Sequence, residues 1–210
     1  MFGLAIHSST PELGLAISDF DTNIRYQGWD LGRELSSQLH ILLQEFLAPQ
    51  SWQELSFVAV CIGPGGFTGT RIGVATARTL AQQLKIPLFG ISATAAVAHH
   101  HVTEVKKSAF PQDIAVTMPA KRGAVYGAIY HWDGETLSVK RTDAVVPAND
   151  WTQTKTQWPH HLTSVSLESG IGLANTTQSL LHLGYKQWQI GPHPDWRDIV
   201  PFYGQHPVTV

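Results

Sequence analysis

The chain is short of the residues that most often announce a chemistry. It has one cysteine, Cys61, and charge on only 14% of its 210 residues. A lone cysteine inside an apolar run excludes an internal disulfide and points to a reducing compartment. No run of 18 apolar residues occurs, which leaves no candidate transmembrane helix. The first residues lack a basic stretch followed by a long apolar one, so no signal peptide is expected, and the cytoplasm is the expected location. Lys and Arg number 14 against 16 Asp and Glu, for a net charge of −2. No basic stripe emerges, so strong nucleic-acid binding by this chain alone is not expected.

Catalytic groups are scarce as well. No acid lies between Glu54 and Glu104. There is no G-x-S-x-G elbow, no obvious histidine partner for Cys61, and no H-E-x-x-H pair to hold a metal. His99, His100 and His101 run together at a predicted helix end, where cationic side chains suit the helix dipole. His160 and His161 read as loop residues. Acids such as Asp19, Asp21, Asp133, Glu135, Asp195 and Asp198 fall in turns or at helix ends and read as solvated.

What the chain does have is apolar material. Hydrophobic residues make up 43%, enough for a real core. Seven Trp and five Tyr on a lightly charged chain imply a surface that a partner covers. Residues 3–8, 13–18 and 24–30 read as an antiparallel strand meander, with Pro11 and Glu12 turning the first pair. Residues 32–47 carry Leu35, Leu39, Leu42, Leu43 and Phe46 at helical spacing, and Pro49 ends the helix. A strand over 56–62, a helix over 70–84, a strand over 87–91 and a helix from Ser92 to about His100 follow. Residues 102–111 read as a linker. Beyond it lie a strand over 114–118 and a hairpin of 123–132 with 136–144 around Asp133-Gly134. Residues 146–161 read as weakly structured, 173–188 as a last helix, and Pro192, Pro194 and Pro201 as keeping the tail extended. This partial echo suggests two related α/β lobes, 1–105 and a reduced 106–210.

The richest local signal is the segment from Cys61 to Gly73, a strand feeding a glycine-rich turn that opens into a helix. That order aims free amides and a positive helix end at an anion. Yet no Lys follows Gly69, so a P-loop is not completed, and the glycines at 63, 65, 66 and 69 miss the G-x-G-x-x-G spacing. Two readings stand. In one, Gly63, Gly65, Gly66 and Thr68 contact a nucleotide phosphate; in the other, the glycines make a tight, closely packed crossover. Ser8, Ser9 and Thr10 divide in the same way between phosphate contact and turn formation. In the helix that follows, the small residues Gly73, Ala75, Ala77 and Ala81 alternate with Ile72, Val74, Leu80 and Leu84. A helix apolar or small on more than one side is packed on more than one side, against its own sheet and against either its own chain or a partner.

With these residues in place, the chain resembles the TsaB family, also called YeaZ. The family pattern I-D-T-S near the start reads here Ile6-His7-Ser8-Ser9, and G-P-G-S-F-T-G-x-R-I-G corresponds to Gly63 through Gly73. The resemblance implies an actin-like, hexokinase-like ATPase fold of two ribonuclease-H-like lobes. It implies a non-catalytic role beside the related TsaD protein and the ATPase TsaE in making threonylcarbamoyladenosine at position 37 of tRNA. The chain by itself is expected to bind no cofactor; the interface of that complex is where ATP or ADP could enter, with tRNA reached through the complex. The implied TsaD interface lies on the helices 32–47 and 70–84, and we place it on Leu35, Leu39, Arg71, Gly73, Ala77, Leu80 and Ala81. A homodimer is expected when the partner is missing.

The departures from the family bear on chemistry. His7 stands where the fold's first strand-end acid is expected. The second-lobe pattern I-D-A-R-x-G-E-V-Y becomes Met118 to Tyr126, with Pro119 and Ala124 in place of both acids. A neutral imidazole and a proline cannot replace hard oxygen ligands for Mg²⁺. The C-terminal P-x-Y-x-R appears as Pro201 to Gln205, without its Arg. The rival reading, an ATPase or phosphotransferase of the same fold, lacks its acids.

Overall fold

Three short strands open the chain: β1 (Phe2–His7), β2 (Glu12–Ser18) and β3 (Ile24–Asp30). In a computed structural model, which describes residues 1–105, 110–167 and 172–204, they pair as an antiparallel meander. A one-turn 3₁₀ segment (Gly32–Glu34) leads into α1 (Leu35–Leu47), and β4 (Leu55–Cys61) then returns parallel to β1. The glycine turn opens α2 (Phe67–Leu84), and β5 (Leu88–Ile91) adds parallel to β4. The sheet order is β3-β2-β1-β4-β5.

β1 and β2 are buried along almost their whole length and do not alternate, because helices cover both faces of the sheet. Leu4, Ile6, Leu13, Leu15 and Ile17 meet Leu35, Leu39, Leu43 and Phe46 of α1 and Val74, Ala77 and Ala81 of α2 in one core. The opposite face takes α5 (Thr177–Ile190), which packs on β1, β4 and β5. There Tyr185 stacks on Phe20 with centroids 3.7 Å apart, and Trp188 lies 6.1 Å from Phe57.

The second lobe repeats the plan with fewer parts. α3 (Ala93–His100) runs on as a π-helical turn, His101–Val105. The strands β6 (Gln112–Pro119), β7 (Ala124–Trp132) and β8 (Leu137–Pro147) then form a meander, α4 (Ala148–Thr156) crosses, and β9 (Leu162–Ser166) pairs parallel to β6. The order is β8-β7-β6-β9. Three antiparallel strands, a helix and a parallel strand thus occur twice, which is the ribonuclease-H-like unit expected, once in fuller and once in reduced form.

Several expectations need correction. The chain divides into Met1–Ala93 with Gly170–Phe202, and Thr94–Ser169 with Tyr203–Val210, not at one break after residue 105. The reason is α5, whose apolar side is spent on the first sheet. The region 146–161 is not weakly structured. α4 lacks an apolar stripe and is held by one side chain, Trp151, which is fully buried. β9 gave no usable signal, since its five residues are mostly polar. The supposed linker is helical up to Val105, and its residues 106–109 lie outside the described residues, as does Gln205. α2 starts three residues early, at Phe67, because Gly66 in an extended conformation serves as its N-cap.

Candidate functional site

The C-terminal end of β1 and the glycine turn are fastened together. Gly66 N donates to the Ser9 carbonyl at 2.6 Å, and Ser8 Oγ donates to the Gly69 carbonyl at 2.9 Å. Ser9 Oγ donates to Cys61 Sγ at 3.2 Å. Thr70 closes the first turn of α2, its N–H and Oγ1 both reaching the Gly66 carbonyl at 3.0 and 2.9 Å. The backbone comes so close that a Cβ at Gly65 would collide with the Ser9 carbonyl oxygen, and one at Gly69 with that of Ser8. These glycines are needed where backbone passes against backbone. Gly63 (φ +94°) makes the bend, and its carbonyl accepts from Ala93 N at 2.8 Å. Of the four residues read as phosphate contacts, Gly63 is buried, Gly66 has already committed its amide, and Thr68 is exposed.

His7 ends β1. It is fully buried, and neither ring nitrogen has a hydrogen-bond partner among the described residues. Burial pushes its pKa down to about 4, so the imidazole is neutral. Pro119 ends β6 on the surface, and Ala124 opens β7. The Mg²⁺ that the fold's acids would hold therefore finds no oxygen ligand at these positions. Among the described residues, no three of His, Cys, Asp and Glu group closely enough to hold a metal ion. His99 lies edge-on to Trp132 at 5.9 Å, as a packing residue.

In the second lobe, Asp113 accepts from His131 Nδ1 at 2.7 Å and from Trp158 Nε1 at 2.8 Å. Burial alone would raise its pKa. The two donors outweigh that and hold the carboxyl below its usual range, so an anion ties β6 to β7 and to the segment after α4.

The seven residues read as a partner surface separate into two groups. Leu35, Leu39, Gly73, Ala77 and Ala81 are buried within the chain itself. Gly73 packs on Ser8, and the others face the sheet. Leu80 is half-buried, and Arg71 is exposed. The outer side of the two helices carries residues outside the seven named for the partner surface. Ile41 is 50% exposed, Phe67 is 47% exposed, and Ala75 also faces outward. The Arg71 guanidinium lies 5.1 Å from the Phe67 ring centroid. Their i, i+4 spacing could have shown this pair, had the helix been started at Phe67.

A family profile described as "TsaD: tRNA N6-adenosine threonylcarbamoyltransferase" matches residues 31–182. The Bacillus subtilis (strain 168) protein named tRNA threonylcarbamoyladenosine biosynthesis protein TsaB is 35% identical over 155 residues, 70% of this chain and 63% of that protein. The protein of the same name from Buchnera aphidicola subsp. Schizaphis graminum is 36% identical over 103 residues, 46% of this chain and 45% of that one. The chain thus spans less than two thirds of the length of these relatives. In the solved structure of YeaZ from Pseudomonas aeruginosa the fold recurs at a TM-score of 0.75 and 20% identity, over 96% of this chain and 99% of that chain. The architecture is the actin-like one of two ribonuclease-H-like lobes, the second reduced. No helix among the described residues is long and apolar enough to cross a membrane. On the profile match and these relatives together, the chain belongs to the TsaB (YeaZ) family, within the wider family that the TsaD profile describes.

Proposed function

We propose that this chain serves the synthesis of threonylcarbamoyladenosine at position 37 of tRNA as a non-catalytic partner of a TsaD-family protein, in a complex that a TsaE-family ATPase joins. His7 carries the reading. Phosphoryl chemistry on this fold rests on acids that position Mg²⁺. This chain offers a buried neutral imidazole in one lobe, and proline and alanine in the other. The relatives' names supply the pathway. The outer side of α1 and α2, with Ile41, Phe67, Arg71, Ala75 and Leu80, is the docking face in this reading. Leu35, Leu39, Gly73, Ala77 and Ala81 support it from beneath. The glycine turn is a packing junction, and ATP or ADP is bound by the assembled complex.

Reconstitution tests this. Unmodified tRNA and threonylcarbamoyl-adenylate are incubated with the host's TsaD- and TsaE-family proteins, with and without this chain, and the modified nucleoside is measured by mass spectrometry. Modification should require the chain, and the chain alone should neither modify tRNA nor release phosphate from ATP. Equal modification without the chain would refute the partner role. ATP turnover by the chain alone, abolished by substitution at His7, would favour the ATPase instead.

A further inference from the structure

The charge on α2 is all of one sign. From Phe67 to Leu84 the helix holds Arg71 and Arg78 and no acid, and the sequence has no acid anywhere between Glu54 and Glu104. Seven residues make almost two full turns, so the two arginines lie on the same side of the helix, about 10.5 Å apart along its axis. Ala75 sits between them on that side, exposed like Arg71, and Arg78 is half-buried. Each guanidinium is seated on an aromatic ring. Arg71 lies 5.1 Å from the Phe67 centroid. Arg78 lies 5.4 Å from that of Trp196, in a one-turn 3₁₀ segment (Trp196–Asp198) that packs on α2. A ring face orients the planar guanidinium and leaves its N–H edge unspent. Among the described residues, no carboxylate pairs with either one and no acceptor takes a hydrogen bond from them. Other arginines are committed. Arg25 donates to the Leu47 and Ala48 carbonyls and to Gln50, and Arg197 donates to Asp195. Asp195 is thereby occupied, and Asp198, beside Trp196, pairs with neither Arg71 nor Arg78.

We propose, resting on the docking face described above, that Arg71 and Arg78 select the docking protein by two carboxylates set seven residues apart on one of its helices. The spacing matches by construction, because carboxylates at that separation also lie about 10.5 Å apart on one side of their helix. A guanidinium takes a carboxylate through two parallel N–H···O bonds, so an arginine already oriented by its ring loses little freedom in making them. The surroundings favour a protein over RNA. Phe67 is 47% exposed and Ala75 faces outward, so apolar surface adjoins the two charges. The chain as a whole carries a net charge of −2, whereas RNA contact is built on an excess of positive charge. Exposed charges of this kind act on encounter and on choice of partner more than on residence. A protein that presented basic residues to the stripe would be turned away, which is how like charges impose specificity.

Association of the host's TsaD-family protein with the chain, followed by surface plasmon resonance across a salt series, provides the test. For the wild type the association rate should fall as salt rises. Arg71→Glu combined with Arg78→Glu should cut that rate about tenfold or more at low salt and make it rise with salt, since opposite charges have become like ones. Arg71→Lys combined with Arg78→Lys keeps the charge and should keep the salt dependence, with weaker affinity because an ammonium cannot grip both carboxylate oxygens. The thermal midpoint of each variant is measured alongside. If the charge-reversed double variant unfolds early, Arg71→Glu alone, at an exposed position, decides on the same readout. An unchanged rate and salt dependence in the charge-reversed variant, with binding lost on Ile41→Glu, would overturn the role of the arginines and leave the docking face standing. Binding indifferent to Ile41→Glu as well would remove the face itself. Charge reversal that weakens binding of tRNA and leaves association with the protein untouched would assign the stripe to RNA and overturn the proposal equally.

Discussion

The indole of Trp151 donates from Nε1 to Thr117 Oγ1 at 2.7 Å, and its ring fills the space left by Gly127, where a Cβ would come within 2.8 Å of it. One side chain thus pins a polar helix to the second sheet. Trp151→Ala should cost about 3–5 kcal/mol, the range for emptying a buried aromatic site. Thr117→Val keeps the volume but strands a buried N–H, at about 1–3 kcal/mol. Denaturant unfolding measures both. A loss below about 1 kcal/mol for Trp151→Ala would mean that α4 is held by something else.

His7 makes a prediction about acid. Its folded-state pKa is about 4, against an ordinary value of 6.5. Above pH 6.5 both folded and unfolded chains carry it neutral, and it contributes nothing to the pH dependence. As pH falls from 6.5 to 4, the unfolded chain takes up the proton and the folded chain does not. Stability should therefore drop across that window by about 3 kcal/mol, at 1.36 kcal/mol per pH unit. His7→Leu should remove this component. His182, also lowered by burial, remains in both proteins, so the difference between them isolates His7. Parallel urea titrations from pH 7.5 down to pH 4.5 decide it; superimposable pH profiles would show that His7 is not held neutral.

Ala77 and Ala75 lie two residues apart on α2 and should behave oppositely. Ala77 is fully buried, so Ala77→Glu drives an unpaired carboxylate into the core, costs several kcal/mol and should unfold the chain. Ala75 faces outward. Ala75→Glu should leave the thermal midpoint in place and weaken binding of the TsaD-family protein about tenfold or more, as a misplaced interface charge does. Calorimetry with the wild type and both variants reads this out. Undiminished binding by the Ala75 variant would remove the docking face from α2.

Where sequence and structure agree, one signal dominated. The leucine stripe from Leu35 to Phe46 could only be an amphipathic helix, and Asp133-Gly134 could only turn a hairpin. Where they part, the deciding contact was distant in sequence. α4 is written as ANDWTQTKT, with no periodicity for a sequence reader to find, and exists because Trp151 meets Thr117 and Gly127 across the sheet. Ala77 and Ala81 were legible as close-packing residues, but small side chains do not say whether the neighbour belongs to the same chain. At the glycine turn the same ambiguity held. Glycines that admit a phosphate and glycines that admit the Ser8–Ser9 backbone look alike until the backbone is in place.

The return of α5 to the first sheet has a consequence for how the protein is made. β1, β4 and β5 are complete early in synthesis, yet the helix that covers one of their faces belongs to the segment Gly170–Phe202. Until that segment leaves the ribosome, Phe57 and Phe89 lack the Trp188 and His193 rings that pack on them, while the second sheet has already been translated in full. The sheet begun first is thus the one covered last. A nascent chain halted before residue 170 would present the bare face of its first sheet to chaperones and to other nascent chains.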